Sequence, residues 1–219
     1  MVSKPKIVVI AGLARELRFL KNVHNVKTFQ GYSKNALIAA RTALSEKPDV
    51  IISFGLAGSM NPQVKNGKII IPQNIVDKFG NIKKVSKKYS NFFNKRISSK
   101  VFRQNLITVD EIEHNLNNKK YLKKNISFID MESSYIQKEA GKKKIPFIAI
   151  RVIFDDLSFS IPKFLKTCIN TDGNINVFKL LINIFLKPKR IFKLIKLSKK
   201  YKKASIVLNK ISSEAFKNF

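Results

Sequence analysis

At 219 residues the chain is long enough for one sizeable hydrophobic core and too short for two. Its 44% hydrophobic content, with 17 phenylalanines, can offset the entropy of ordering the backbone and so excludes a disordered chain. A formal charge of +29 points to nucleic acid, to an anionic membrane surface or to a general bias toward Lys, so where the charge sits matters more than its sum. The single cysteine, Cys168, rules out an intramolecular disulfide, and no Cys or His cluster has zinc spacing, which fits a reducing cytosol and no metal cofactor. No apolar run is long enough to span a bilayer, because Lys187, Lys189 and Arg190 interrupt the best candidate.

The run Ile7 to Ile10, ending at Gly12, reads as a first buried strand rather than the apolar stretch of a signal peptide. A helix over about Ala36 to Ser45 and a second strand, Val50 to Phe54, follow. A strand at Lys68 to Ile71 comes after the turn Asn66-Gly67, and the Lys- and Asn-rich stretch Lys83 to Lys100 reads as a surface excursion. Ile126 to Ile129 predicts a strand, Met131 to about Lys143 a helix, and Pro146 to Ile153 another buried strand. Beyond Thr171-Asp172-Gly173 the pattern is helical. Lys187-Pro188 separates two helices there, and Ser205 is a plausible start for a third. Strands alternating with helices predict a mostly parallel sheet covered by helices. We read residues 1–219 as one domain, with 171–219 as its basic helical extension.

In open α/β sheets ligands sit beyond the carboxyl ends of the strands, which directs attention to four places. They are Ala11 to Glu16, Gly55 to Gly58, Asp130 to Ser133, and Phe154-Asp155-Asp156. Each has a plain explanation alone: Glu16 as a first-turn helix acid, Gly55 and Gly58 as a turn, Asp155 as a cap. Their joint order is more specific. In that order they resemble the superfamily of methylthioadenosine/adenosylhomocysteine nucleosidases and purine nucleoside phosphorylases. Ile51 to Met60 followed by Lys65 to Ile71 looks like its strand, Gly-x-Ala-Gly turn and returning strand. Ile129 to Ser133 looks like its Met-Glu ribose signature, and Arg151 to Asp155 like the strand ending in its catalytic aspartate. Asp155-Asp156, Ile161-Pro162, Thr171-Asp172-Gly173 and the basic tail with Pro188 extend the resemblance to the hopanoid-associated branch, whose members are taken to remove adenine from adenosylhopane.

The resemblance implies a three-layer α/β sandwich with a mixed, mostly parallel central sheet and a helical C-terminal tail, and a homo-oligomer. It implies cleavage of the N-glycosidic bond of a purine nucleoside. Asp155 would be the general acid, Glu132 the ribose anchor beside Met131, and Glu16 the group that activates water, with Ser53, Gly55, Ala57 and Gly58 around the substrate. Phosphorolysis is the alternative, with phosphate as co-substrate held by Arg41, Ser53 and N–H groups near Gly31. Three departures stand out. Ser33 replaces a second glycine in Gly31 to Lys34, Phe154 replaces a small polar residue, and no aromatic residue occupies the base-stacking position near Asp110 to Glu113.

From Phe178 to Lys203 there is no acidic residue, and Lys alternates with Phe, Leu and Ile at helical spacing. Such a basic amphipathic stretch is what interfacial membrane binding uses, although a packing helix of a Lys-rich protein looks similar. We therefore expect a cytoplasmic protein, in peripheral contact with anionic membrane at its inner face. A nucleic-acid-binding module is the rival class, but it explains the charge alone, no recognition motif accompanies it, and the ordered carboxylates would repel phosphates.

Overall fold

The computed structural model describes residues 5–21, 23–111, 125–159, 161–170 and 172–217. The first strand, β1 (Ile7–Ala11), is wholly buried. Its side chains alternate between two cores: Ile7, Val9 and Ala11 enter one cluster, Val8 and Ile10 the other. A strand apolar on both faces needs cover on both faces, and here helices supply it, giving three layers.

After α1 (Ala14–Leu17) come β2 (Val26–Gln30), α2 (Ala36–Leu44) and β3 (Val50–Ser59). Next are β4 (Ile69–Ile70), β5 (Asn74–Val76), β6 (Ile82–Lys84), α3 (Lys87–Arg96), β7 (Val101–Phe102) and β8 (Asn105–Thr108). The chain closes with β9 (Ile126–Asp130), α4 (Ser133–Lys142), β10 (Phe147–Asp155), α5 (Val177–Leu186) and α6 (Arg190–Ile211). The strands form one sheet in the order β6-β5-β8-β9-β3-β10-β4-β7, with β1 joined to β3 and β2 to β1. Six of its pairings are parallel, and β3–β9, β4–β10 and β5–β6 are antiparallel. The expected architecture, including the helical tail, is the observed one.

Strand β3 positions the site. Its first half pairs with β1 from Val50 to Ser53 and its tip with β9 at Gly58 and Ser59, while β10 runs along its other side. Between the two partners, Phe54 to Ala57 face a gap in the sheet. A peptide N–H in such a gap needs an acceptor from elsewhere.

Three expectations fail for identifiable reasons. Gly55 to Gly58 is not a turn: β10 pairs with these residues, from Arg151 opposite Gly55 to Asp155 opposite Gly58, and the ladder carries the strand on to Ser59. The stretch Lys83 to Lys100 is not merely a surface excursion, because α3 buries Tyr89, Ser90 and Phe93 at helical spacing. No third tail helix starts at Ser205. Ala204, Ser205, Leu208 and Ile211 form one buried stripe, so packing carries α6 through the Ser and into a π-type turn at Ser212–Phe216.

Candidate active site

Around the gap in β3, the ends of β1, β3, β9 and β10 meet α1, α4 and α6 at a cavity of about 360 Å³. Its floor is acidic. Glu16, from α1, is 3% exposed, and its carboxylate accepts from the N–H of Leu13 at 2.9 Å and from the N–H of Leu56 at 2.9 Å. It thereby takes the place of the missing strand beside β3. Burial raises its pKa against the opposing effect of Arg151.

Glu132 lies just before α4 and is 6% exposed. Its Oε1 accepts from the N–H of Ser33 at 3.3 Å and its Oε2 from Arg151 Nη2 at 3.4 Å. Its pKa is raised, chiefly by burial, with Asp130 and Glu16 adding to the effect and Arg151 opposing it. Asp155 ends β10 at 6% exposure, and burial, reinforced by the neighbouring Asp156, lifts its carboxyl to about 7. Asp156 behaves oppositely. Burial opposes its charge, but hydrogen bonds from Ser158, the N–H of Asn66 at 2.9 Å and Lys200 at 3.1 Å bring it down to about 2.

Each of the three carboxylates rests where a glycine lacks a β-carbon. A Cβ on Gly12 would stand 2.7 Å from Glu132 Oε1, and one on Gly55 would stand 2.7 Å from the Glu16 carboxyl. One on Gly58 would meet Ile129 at 2.8 Å and the Asp155 carboxylate at 3.1 Å. Gly55 also has φ +148°, in a region that side chains disfavour.

The cation beneath them is Arg151, which sequence reasoning did not single out. It is 1% exposed in mid-strand, and its Nη2 lies 2.7 Å from Asp130 Oδ2 and donates to Ser53 Oγ at 2.6 Å and Ser133 Oγ at 3.2 Å. Asp130 in turn accepts from Thr108 Oγ1 at 2.7 Å and from the hydroxyl of Ser133. Burial works against the guanidinium charge, but Asp130, Glu132 and Glu16 together raise its pKa. The available signal was a single Arg within an otherwise apolar strand, since a buried charge must be paired.

Of the residues expected at the site, Glu16, Ala57, Gly58, Met131, Glu132 and Asp155 line the cavity together. Ser53 lies beneath it on Arg151, and Gly55 beneath it against Glu16. Arg41 is elsewhere: its Nε pairs with Glu139 at 3.1 Å, and its side chain is 59% exposed on α2. The N–H of Gly31 is bonded to the Ala11 carbonyl at 2.9 Å, and that of Ser33 goes to Glu132. Through Ser33 this segment engages a carboxylate. Ser33 adopts the φ of +51° that a glycine would favour, with its hydroxyl bonded to the Asp110 carbonyl at 3.0 Å.

The missing base-stacking aromatic belongs to a stretch of which residues 112 and 113 lie outside the described residues. Aromatic rings come instead from Tyr32, Phe154 and Tyr201, with Phe154 and Tyr201 edge to face at 6.3 Å and Arg15 5.3 Å over the Tyr201 ring. Apolar walls come from Leu13, Ile161, Leu165, Ile169, Leu194 and Leu197.

Residues 7–169 match the family model of the phosphorylase superfamily. The chain belongs to the phosphorylase superfamily. Solved structures extend the likeness over the whole fold. A 5′-methylthioadenosine/S-adenosylhomocysteine nucleosidase from Neisseria meningitidis, in complex with methylthio-immucillin-A, is 15% identical with a TM-score of 0.68, over 97% of this chain and 99% of that one. The nucleosidase of that name from Campylobacter jejuni is 18% identical with a TM-score of 0.61, over 84% and 98%. Futalosine hydrolase of Helicobacter pylori is 16% identical with a TM-score of 0.60, over 72% and 90%. At these identities the likeness establishes the fold of this superfamily member. A sequence search of curated proteins finds no match.

Proposed function

We propose that this phosphorylase-superfamily member is a nucleosidase that hydrolyses the N-glycosidic bond of an adenine nucleoside. The observation that carries this reading is the set of three buried carboxylates facing one cavity, their pKa values all raised by burial, Asp155 to about 7 and Glu132 to about 8. Breaking the bond places negative charge on the departing base and positive charge on the ribose. Asp155, protonated near neutral pH, gives its proton to a purine nitrogen, so the base leaves as a neutral species. Glu132 accepts from the ribose hydroxyls, and Arg151, which opposes the effect of burial on Glu132 and Glu16, favours the ionised forms that would stabilise a cationic sugar. Glu16 orients water toward the ribose carbon and takes its proton. Arg151 and Asp130 contact no substrate in this scheme; they hold Glu132 and Ser53 in position. The nucleosidases sharing the fold support the assignment of reaction class.

The apolar walls point to an apolar group on the ribose 5′ carbon, and the branch that the tail resembles suggests a lipid-linked one, as in adenosylhopane. Phosphorolysis is the second reading, favoured by Arg15, which lines the cavity with its guanidinium over the Tyr201 ring. The experiment is incubation of the purified protein with adenosine derivatives bearing short or long 5′ substituents, with and without phosphate, and identification of base and sugar by mass spectrometry. Free ribose product without phosphate supports hydrolysis. A phosphate requirement with ribose 1-phosphate as product assigns phosphorolysis, and absence of free adenine under both conditions overturns the reading.

A further inference from the structure

Helix α5 is apolar at eight of ten positions, yet none of its residues is buried. Phe178 is 73% exposed, Phe185 86% and Leu186 68%, and Phe192 at the start of α6 is 72% exposed. A helix apolar nearly all round belongs inside a protein or against lipid, and an exposed apolar surface of this extent marks an interaction site. The face is held in place from behind. Asn176 caps α5 through the N–H of Lys179 at 2.9 Å, and Arg190 Nη1 donates to the Asn183 carbonyl at 3.0 Å. Leu180, Asn183 and Ile184, at helical spacing, make the half-buried inner side.

Charge identifies the occupant. No Asp or Glu occurs between Gly173 and Ser213, while exposed Lys179, Lys187, Lys189 and Lys193 accompany the apolar side chains. A second copy of the chain would bring the same lysines against themselves, a like-charge contact that association disfavours. Protein interfaces are depleted in Lys, whereas a bilayer with anionic headgroups accepts Lys at its surface and Phe and Leu just beneath. We propose that the outer face of α5 and the first turns of α6 form a docking surface for an anionic lipid bilayer.

The dock does not depend on what the cavity does. Its link to the cavity is nevertheless direct: Leu194, Leu197, Ser198 and Tyr201, at helical spacing on α6, line the cavity, while Phe192 and Ile195 lie outside. One helix thus has a cavity side and a bilayer side. If the proposed function holds, a lipid-linked nucleoside would pass between them without entering water.

The test uses the full chain and vesicles of phosphatidylcholine, pure or equimolar with phosphatidylglycerol, at low salt. The protein is expected to cosediment with the anionic vesicles only. Replacing Lys179, Lys187, Lys189 and Lys193 by Gln should weaken binding by roughly a thousandfold, as the loss of four cations at a charged bilayer predicts. Phe178→Ser with Phe185→Ser and Phe192→Ser should also release it. Because the chain has no Trp, Phe185→Trp provides a single reporter whose emission should shift to the blue on anionic vesicles. Failure to cosediment, an unshifted Trp, or undiminished binding by the Ser variant overturns the dock. So does self-association of the parent that the Ser variant loses, since a second copy would then cover the face. Repeating the assay with Asp155→Asn separates docking from chemistry: the dock predicts unchanged vesicle binding, and a loss overturns its independence from the site.

Discussion

Asp155 combines its proposed chemical role with a folding cost. Burial lifts its carboxyl to about 7 in the fold, well above the ordinary aspartate value. Between those values the unfolded chain binds fewer protons than the folded one, so stability falls as pH rises through that window. Asn at this position escapes the cost but cannot deliver a proton. Asp155→Asn should therefore abolish adenine release and, at alkaline pH, melt above the parent, the gain being on the order of a few kcal/mol. Release assays and thermal melts at several pH values check both halves; a melting point lowered at alkaline pH would mean the carboxylate is stabilised by contacts. Glu132→Gln should slow ribosides far more than 2′,3′-dideoxyribosides, which lack the hydroxyls it would bind, and equal losses would remove it from ribose recognition. These carboxylates were legible because they follow strand ends in a fixed order. Arg151 and Asp130 were less so, because Arg151 lies in mid-strand, where the search was for apolar residues, and its partners come from other elements.

Helix α6 is fastened to the strand end that bears Asp155. Lys200 Nζ reaches Asp156 at 3.1 Å, and the Asn66 side chain donates to the carbonyls of Ile153, Phe154 and Lys200. Lys200 also lowers the pKa of Asp155. If Asp155 is the proposed acid, kcat/KM should decline with rising pH above about 7, and Lys200→Met should move that alkaline limb upward. A pH profile of the two proteins decides it: an unmoved limb would make Lys200 purely structural. Most elements were readable from buried apolar runs such as Ile7 to Ala11 or Phe147 to Ile153. Helix α3 was not, because its few apolar positions, Tyr89, Phe92 and Phe93, are set among Lys, Ser and Asn. Ser205 misled because local propensity cannot register a buried stripe that crosses it.

At the scale of the whole molecule, the last turn of the chain closes the core. Phe216 is fully buried, with its ring 5.8 Å from Phe54 of β3 and 5.0 Å from Phe93 of α3. Phe216→Ala should cost about 3–5 kcal/mol, read as a lowered denaturant midpoint. A loss below about 1 kcal/mol would show that the tail packs more loosely than this geometry requires. The charge of the chain is likewise partitioned. A chain whose net charge is +29 folds around a floor of Glu16, Asp130, Glu132 and Asp155 against a single Arg151. That partition was invisible in the composition, because only the fold decides which few carboxylates turn inward.

The seats formed by Gly12, Gly55 and Gly58 make distance itself an experimental variable in this protein. Deleting a carboxylate reports only whether it matters, whereas adding one methyl group behind it displaces it and leaves its charge intact. Gly12→Ala would displace Glu132, the proposed sugar anchor, Gly55→Ala would displace Glu16, and Gly58→Ala would displace Asp155, the proposed proton donor, each from a direction fixed by the backbone. Gly12→Ala is the cleanest of the three, since its nearest obstacle is the end of a side chain and its backbone is not in the glycine-favoured region. A misplacement near 1 Å is expected to reduce kcat by about a hundredfold while the protein melts close to the parent. The steepness of that loss would measure how tightly the reaction is geared to position.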